Sequence, residues 1–240
     1  MKNIFNTLLL LFLVTSCSKD DDAPVNIPPT AQIPAQSKFI ETIDRDTDDI
    51  AIGYNSDKKI NNIVVGHRIM YDITYTAEGL VDKIKVWSGE REGLYEFGHH
   101  PDGRISGCLV MNYNTNEISD YIGIVYNEET NSYNNWMYLY PDGSIRKVII
   151  GGVEENLVYD TTKIGSMRNS NYEIVLYLML IDRNLVLWPR YMGYYPTSEI
   201  ITPQGAVAID NRYDSQNFIS STHIDSTLNN LDAHYYYVQH

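Results

Sequence analysis

The chain has 240 residues, with 31 Asp or Glu against 18 Lys or Arg, so its formal net charge is −13 at pH 7. Such an acidic surface repels phosphate backbones, and no Lys or Arg cluster reverses the sign locally, so the composition excludes nucleic acid as a partner. Twenty tyrosines against five phenylalanines favour half-buried β structure, and two cysteines are too few for a disulfide framework.

Residues 1–16 have the pattern of an export signal. Lys2 supplies a positive charge, and the apolar run Leu8–Val14 is too short to span a bilayer as a helix. In the tetrapeptide Val14–Cys17, small residues precede a cysteine whose thiol can accept lipid. This pattern resembles the lipobox of bacterial lipoproteins, which implies cleavage before Cys17, lipidation of its thiol and attachment to a membrane. An ordinary secretory signal with an incidental cysteine is the alternative.

Residues 17–37 are predicted to form a tether between the lipid and the folded domain. The run Lys19, Asp20, Asp21 and Asp22 follows the cysteine and resembles the surface-export signal of Bacteroidetes-type lipoproteins. The resemblance implies an outer-membrane protein displayed on the cell surface, whereas a solvated polar spacer is the alternative. Four prolines in residues 23–37 predict an extended, semi-rigid stalk.

Residues 38–240 are predicted to form one β domain built from a repeated hairpin unit. The unit has an aromatic residue, a turn position four residues later, and apolar residues two and five positions after the turn. In the two Pro-Asp-Gly copies the aromatic residue lies three positions before the glycine. The predicted turn positions are Lys58, Gly79, Gly103, Gly143 and Asn217. Gly and Asn tolerate positive φ, so the chain reverses at these positions, and only Lys58 departs from that chemistry.

The copy over Tyr213–Ile219 reads Tyr-Asp-Ser-Gln-Asn-Phe-Ile. It resembles the Tyr-Asp-x-x-Gly-x-Leu unit of the YD-repeat (RHS-like) proteins, with Asn for Gly and Ile for Leu. Together with the lipobox, the chain is similar to uncharacterised Bacteroidetes surface lipoproteins built from such repeats. The repeated hairpins predict an all-β fold, an open, twisted antiparallel sheet of stacked hairpins that bury one continuous face. The resemblance implies no catalytic residue.

Residues 160–205 interrupt the repeat and form an atypical insert. The segment Tyr172–Trp188 is dense in apolar residues, which allows one or two short helices packed on the sheet, or buried strands. Pro189 is expected to end that segment.

No group of residues predicts catalysis, a cofactor or a metal site. Asp44, Asp46 and Asp48 alternate as at the start of a calcium loop, but the glycine and glutamate that such a loop requires are absent. The adjacent His99 and His100 point to opposite faces of a strand, so they cannot easily share a metal.

Two further residue types could take part in catalysis. Cys108 occupies an apolar position of the repeat and is expected to be buried. The paired glutamates lie near hairpin tips, where a charge is normally solvated: Glu90 with Glu92, Glu128 with Glu129, and Glu154 with Glu155. We therefore expect no enzyme activity from this chain.

Aromatic side chains are the candidates for a binding surface, because they stack on sugar rings and anchor protein interfaces. The candidates are Trp87, Trp136, Tyr191, Tyr194 and Tyr195, and core packing is the alternative for each of them. The sequence thus predicts a non-enzymatic surface module that binds a glycan or a protein partner. A structural or interaction component of the envelope is the second reading, and a glycan hydrolase is the third.

Overall fold

The computed structural model describes residues 38–89, 92–225 and 231–239. They form two open antiparallel sheets of 11 and 7 strands, together with one α-helix and one 3-10 helix. The predicted fold class, an all-β protein of open antiparallel sheets with a small helical insert, is confirmed. The division into two sheets is a feature that the hairpin pattern did not predict.

The first eight strands are β1 (Lys38–Arg45), β2 (Asp49–Tyr54), β3 (Ile60–Val65), β4 (Ile69–Tyr75), β5 (Val81–Trp87), β6 (Glu92–His99), β7 (Ile105–Met111) and β8 (Ile118–Gly123). Five strands follow before the helices: β9 (Tyr126–Asn127), β10 (Ser132–Tyr133), β11 (Met137–Leu139), β12 (Ile145–Ile150) and β13 (Val153–Tyr159). The helices are α1 (Glu173–Ile181) and a 3-10 helix (Arg183–Arg190). The chain then forms β14 (Thr197–Thr202), β15 (Gly205–Ala208), β16 (Asp210–Tyr213), β17 (Ile219–Ile224) and β18 (Leu231–Gln239).

The large sheet has the order β16-β17-β18-β1-β2-β3-β4-β5-β6-β7-β8, and the small sheet has the order β15-β14-β13-β12-β11-β10-β9. Strands β8 and β9 are consecutive in the chain, as are β15 and β16, so the chain passes between the two sheets at their edges. Within each sheet most neighbours are consecutive hairpins, as stacked repeats require.

The five predicted turn positions share one backbone conformation. Their φ angles are 60° at Lys58, 86° at Gly79, 86° at Gly103, 85° at Gly143 and 65° at Asn217. At the second of these turns, the Gly79 N–H donates to the Thr76 carbonyl (3.0 Å) and the Thr76 N–H donates to the Leu80 carbonyl (2.8 Å). The same pair of hydrogen bonds is made at the other four turns by Asn55, His100, Tyr140 and Asp214. Lys58 therefore adopts the glycine conformation of the repeat although it has a side chain.

Each of these hairpins also contains a β-bulge, at which the ladder skips the residue three positions after the turn. The ladders shift register at Tyr54, Tyr75, His99, Leu139 and Tyr213. A bulge leaves polar backbone groups without partners in the ladder, and buried groups of this kind need other hydrogen bonds.

Tyrosine hydroxyls of the adjoining strand bond carbonyls of the residue two positions after the turn, which lie beyond the end of the ladder with that strand. The Tyr237 hydroxyl donates to the Ile219 carbonyl at 2.8 Å, and Tyr75 donates in the same way to the carbonyl of Ile60. The backbone N–H of such a residue has a partner inside the protein as well. The Ile60 N–H, for example, donates to the Asn171 side-chain oxygen at 2.8 Å. A phenylalanine would fill the same space but could not donate, so these positions favour tyrosine.

The core joins buried residues of both sheets to the helical insert that lies between them. Ile52, Ile63 and Tyr71 lie directly opposite one another on consecutive strands and are buried. Tyr71 packs edge-on against Trp188 of the 3-10 helix, with ring centroids 6.2 Å apart, and Phe97 packs against Tyr177 of α1 at 4.9 Å. The segment whose type the sequence left open is thus helical. Within the described residues, no helix is both long and apolar enough to cross a membrane.

The 3-10 helix includes Pro189 and ends one residue later, at Arg190. The predicted end of the apolar segment, at Pro189, therefore lies one residue from the observed end of the 3-10 helix. Residues 197–202, at the end of the predicted insert, return to strand as β14 and join the small sheet.

Candidate binding surface

The hairpin of β4 and β5 arranges an apolar and a polar pair of side chains on the outer face of the large sheet. The turn at Gly79 sets a register in which Met70 lies opposite Trp87 and Asp72 lies opposite Lys85. Side chains two residues apart on a strand share a face, so the two pairs lie side by side. The intervening residues Tyr71 and Val86 point inward to the core.

Trp87 is the exposed aromatic residue of this array, with 44 % of its surface accessible. Tyr113, in the loop between β7 and β8, lies beside it, and the Lys85 ammonium lies 4.3 Å from the centroid of the Tyr113 ring. Met70, Asp72, Lys85, Trp87 and Tyr113 together line a shallow pocket of about 300 Å³. We call this surface the Trp87 platform.

The two charged groups of the Trp87 platform are held in defined positions. The Asn62 side-chain amide donates to Asp72 Oδ1 at 2.7 Å. A hydrogen bond to Tyr113, with smaller contributions from the charges of Asp72 and Glu92, raises the pKa of the exposed Lys85. Lys85 therefore stays an ammonium at neutral pH. The platform offers an aromatic face, a carboxylate acceptor and an ammonium donor to a ligand.

The structure separates the five aromatic candidates. Trp87 is exposed, whereas Trp136 is only 7 % accessible and lies against the Arg183 guanidinium, 5.3 Å from its ring. Tyr191 and Tyr195 are buried as well, and burial raises the pKa of Tyr191. These three side chains are core residues and have no free face for a ligand.

Tyr194 is intermediate. Its ring packs on Tyr172 with centroids 4.9 Å apart, and its hydroxyl donates to the Glu173 carboxylate at 3.3 Å. It lies on the helical insert and does not line the Trp87 platform. The predicted aromatic residues therefore do not form one site.

Among residues 38–89, 92–225 and 231–239, no group of three or more His, Cys, Asp or Glu is arranged to hold a metal ion. Asp48 of the acidic run pairs instead with Arg45. His99 points inward, with its Nε2 3.0 Å from the Tyr177 hydroxyl, while the exposed His100 forms part of the turn before Gly103.

Three of the paired glutamates form ion pairs with separate cations. Glu154 binds Lys147 and Glu155 binds Arg190, each at 2.7 Å. Glu128 lies 2.8 Å from Arg104, and Glu90 falls outside the described residues. Cys108 is buried, and burial raises the pKa of its thiol to about 12, so the thiolate needed for nucleophilic attack is not formed at neutral pH.

Cys17 and the predicted export run Lys19, Asp20, Asp21 and Asp22 lie outside the described residues. Their lipidation and export roles therefore stay predictions.

Sequence reasoning missed four of the five residues of the Trp87 platform. Asp72 and Lys85 could have been paired by counting outward from the Gly79 turn, because a hairpin's register follows from its turn. Tyr113 has no such signal, since it reaches the platform from a loop two strands further along the chain.

No protein-family model and no curated protein matches the sequence. Among solved structures, the chain is similar to a porin-like protein from Bacteroides uniformis, with 9 % identity over 80 % of this chain and 78 % of that one and a TM-score of 0.37. It is also similar to chains of the Photorhabdus luminescens Tc holotoxin pore and of TcdB2-TccC3-TEV, at 8 % identity and a TM-score of 0.19. These two likenesses cover 80 % of this chain but only 9 % and 10 % of the other chains. At such TM-scores the likenesses carry no argument about function.

Proposed function

We propose that this chain is a surface-displayed outer-membrane lipoprotein whose folded domain binds a glycan at the Trp87 platform and does not turn it over. Lipidation at Cys17 would anchor it, and the acidic, proline-containing tether would hold the domain away from the membrane. The shared hydrogen bonds of the five turns support the resemblance to YD repeats, which supply a rigid frame for the platform.

The observation that carries the glycan proposal is the exposed Trp87 ring beside the Asp72–Lys85 pair. A pyranose ring has an apolar face of C–H groups, which stacks on an aromatic ring, and a rim of hydroxyls that need hydrogen-bond partners. Neighbouring pairs on one face of a sheet lie about 7 Å apart, close to the width of one sugar ring. Trp87 can therefore stack on the sugar ring while Asp72 and Lys85 form hydrogen bonds to the sugar hydroxyls.

The proposal of binding without turnover rests on the carboxylates. Glycoside hydrolysis generally needs two carboxyl groups, about 5–10 Å apart, on either side of the scissile bond. Among the described residues that line the Trp87 platform, Asp72 is the carboxylate, and it already accepts a hydrogen bond from Asn62. Glu92 lies opposite Trp87 in the ladder but does not line the pocket. Asp72 alone can orient a sugar but cannot supply the second carboxyl group that hydrolysis needs.

The test is retention of wild-type protein on a panel of polysaccharides, compared with Trp87→Ala. We expect Trp87→Ala to lose at least about tenfold in affinity for any retained glycan, because stacking on the ring is removed. Tyr121→Ala is the matched control, since Tyr121 is also exposed, at 57 %, but lies outside the platform. Equal losses in both variants, or release of shorter sugars by the wild type, would overturn the proposal.

A second function, as an interaction component of the envelope, is favoured by the edge strand β8. Ile118 and Tyr121 are exposed large side chains on that strand, which ends the large sheet. Exposed edge strands can pair with another chain. Capture of an envelope protein that depends on Ile118 and Tyr121, but not on Trp87, would support this function in place of glycan binding.

A further inference from the structure

A separate cavity lies on the inner face of the large sheet, at the end away from the repeat turns. The junction between α1 and the 3-10 helix, at Ile181 and Asp182, lies over this end of the sheet. Beyond Ile181 the inner face is left open as a cleft of about 770 Å³, which we call the Asp182 cleft.

The lining of the Asp182 cleft combines an apolar floor with an acidic rim. Val86, Val110 and Leu185 contribute aliphatic surface, and Tyr71 and Tyr95 contribute aromatic rings. Among the described lining residues the titratable carboxyl groups are those of Asp182 and Glu92, and none of these residues is a Lys, Arg or His. A cavity of roughly 300–1,000 Å³ with an apolar lining and a few polar groups is typical of small-molecule sites.

Asp182 is held in place by neutral donors only. Its Oδ1 accepts hydrogen bonds from the backbone N–H and the side-chain amide of Asn184, both at 2.9 Å, and so caps the 3-10 helix. Among the described residues it has no ion pair. Burial raises the pKa of Tyr71, and the charge of Asp182 raises it further. The Asp182 charge therefore acts at a hydroxyl of the cleft floor.

Glu92 lies at the edge of the cleft but directly opposite Trp87 in the ladder of β5 and β6, so its side chain shares the outer face with Lys85, with which it interacts electrostatically. The Asp182 carboxylate is therefore the negative charge that the described part of the cleft presents beside apolar surface. A carboxylate next to apolar groups is stabilised by a cation, and tyrosine rings add a further attraction for that cation.

We infer that the Asp182 cleft binds a small organic cation with an apolar body, of the arylalkyl ammonium class. The apolar body lies against Val110, Leu185 and the tyrosine rings, and the ammonium lies at the Asp182 carboxylate. This site faces the interior and is independent of the glycan proposal, which concerns the outer face of the same strands.

Three indole probes of similar shape test the charge of the ligand: tryptamine as cation, tryptophol as neutral alcohol and indole-3-propionate as anion. Titration calorimetry should show tryptamine binding at least about tenfold more tightly than tryptophol, and the propionate more weakly still. Added salt should weaken the binding of tryptamine more than that of tryptophol.

The variant Asp182→Asn tests the position of the ammonium. An asparagine oxygen can accept both Asn184 hydrogen bonds, so the cap and the folding stability should persist while tryptamine affinity falls about tenfold to the level of tryptophol. Trp87→Ala should leave tryptamine affinity unchanged, which separates this site from the glycan platform. Equal affinity for the three probes, no binding of any probe, or undiminished tryptamine binding by a folded Asp182→Asn variant would each overturn the inference.

Discussion

The Tyr159 hydroxyl donates to the carbonyl of Ile145 at 2.7 Å, beyond the point where the ladder between β12 and β13 ends at Lys147. The Ile145 N–H donates to the Tyr172 hydroxyl at 3.3 Å. Both backbone groups of this buried residue, which lie outside that ladder, are thus satisfied by tyrosines from other elements. The repeat depends on tertiary contacts for its hydrogen bonds as well as on its own turn.

Tyr159→Phe should therefore lower the free energy of unfolding by about 1–3 kcal/mol, because it leaves the Ile145 carbonyl buried without its donor. Urea denaturation of the folded domain measures this change. Tyr236→Phe is the matched control, since Tyr236 is 53 % exposed and should change stability by less than about 0.5 kcal/mol. Similar losses in the two variants would contradict the role given to the Tyr159 hydroxyl.

Gly143→Val should cost about 1 kcal/mol or more, because φ is 85° at this position and a β-branched residue is strained there. A Cβ at Gly143 would meet nothing within 4 Å, so the loss reports backbone strain and not a steric clash. Gly143→Asn should be milder, since Asn adopts positive φ more readily. Thermal unfolding compares the two, and neutrality of both would show that the turn conformation is wrongly assigned.

The pH dependence of stability should contain a contribution from His99. Burial lowers the pKa of His99, although the charge of Asp82 opposes this shift. The unfolded chain therefore takes up a proton first as pH falls below about 6.5, and stability is lost in that range while it is retained at higher pH.

His99→Gln removes this proton uptake, so the variant should lose less stability than the wild type between about pH 7.5 and pH 5.5. Urea denaturation at the two pH values measures the difference. His100→Gln, which changes the adjacent exposed histidine, is the control. A variant that loses as much stability as the wild type would show that His99 does not contribute.

Cys17→Ala should release the protein from membranes or stall its processing, because the thiol that accepts lipid is removed. Fractionation of cells and labelling with a radioactive fatty acid report the two effects. A variant that stays in the membrane fraction with the wild-type acyl label would refute lipidation at Cys17.

Replacing Lys19, Asp20, Asp21 and Asp22 with alanine should keep the protein from the cell surface. Protease added to intact cells should cleave the wild type within the stalk and spare the variant. A periplasmic marker protein that stays intact serves as the control for cell integrity. Equal cleavage of wild type and variant would mean that the acidic run is only a spacer.

The turn positions could be predicted from the sequence because their chemistry is local. Gly and Asn at positive φ, followed by apolar residues at a constant spacing, identify a hairpin without reference to the rest of the chain. The spacing of the repeat unit also predicted a turn at Lys58, although lysine is not a typical residue for positive φ. The all-β class followed from these turns, since hairpins in series can bury a face only by pairing side by side.

The type of secondary structure in Tyr172–Trp188 could not be read from its composition. An apolar run without a period of 2 or 3.6 residues fits a buried helix and a buried strand equally. Its place between two sheets decided the matter, because only a helix satisfies its own backbone there without a neighbouring strand.

The exposure of Trp87 and Trp136 was likewise decided by tertiary structure alone. Both lie at strand ends near polar loops, and local sequence treats them alike. Trp136 is covered because the 3-10 helix brings Arg183 onto its ring, whereas Trp87 faces outward on β5 and is exposed among the described residues. Sequence determined where the chain turns; burial depended on which distant segment packs on each face, and residues far apart in the chain meet only in the folded protein.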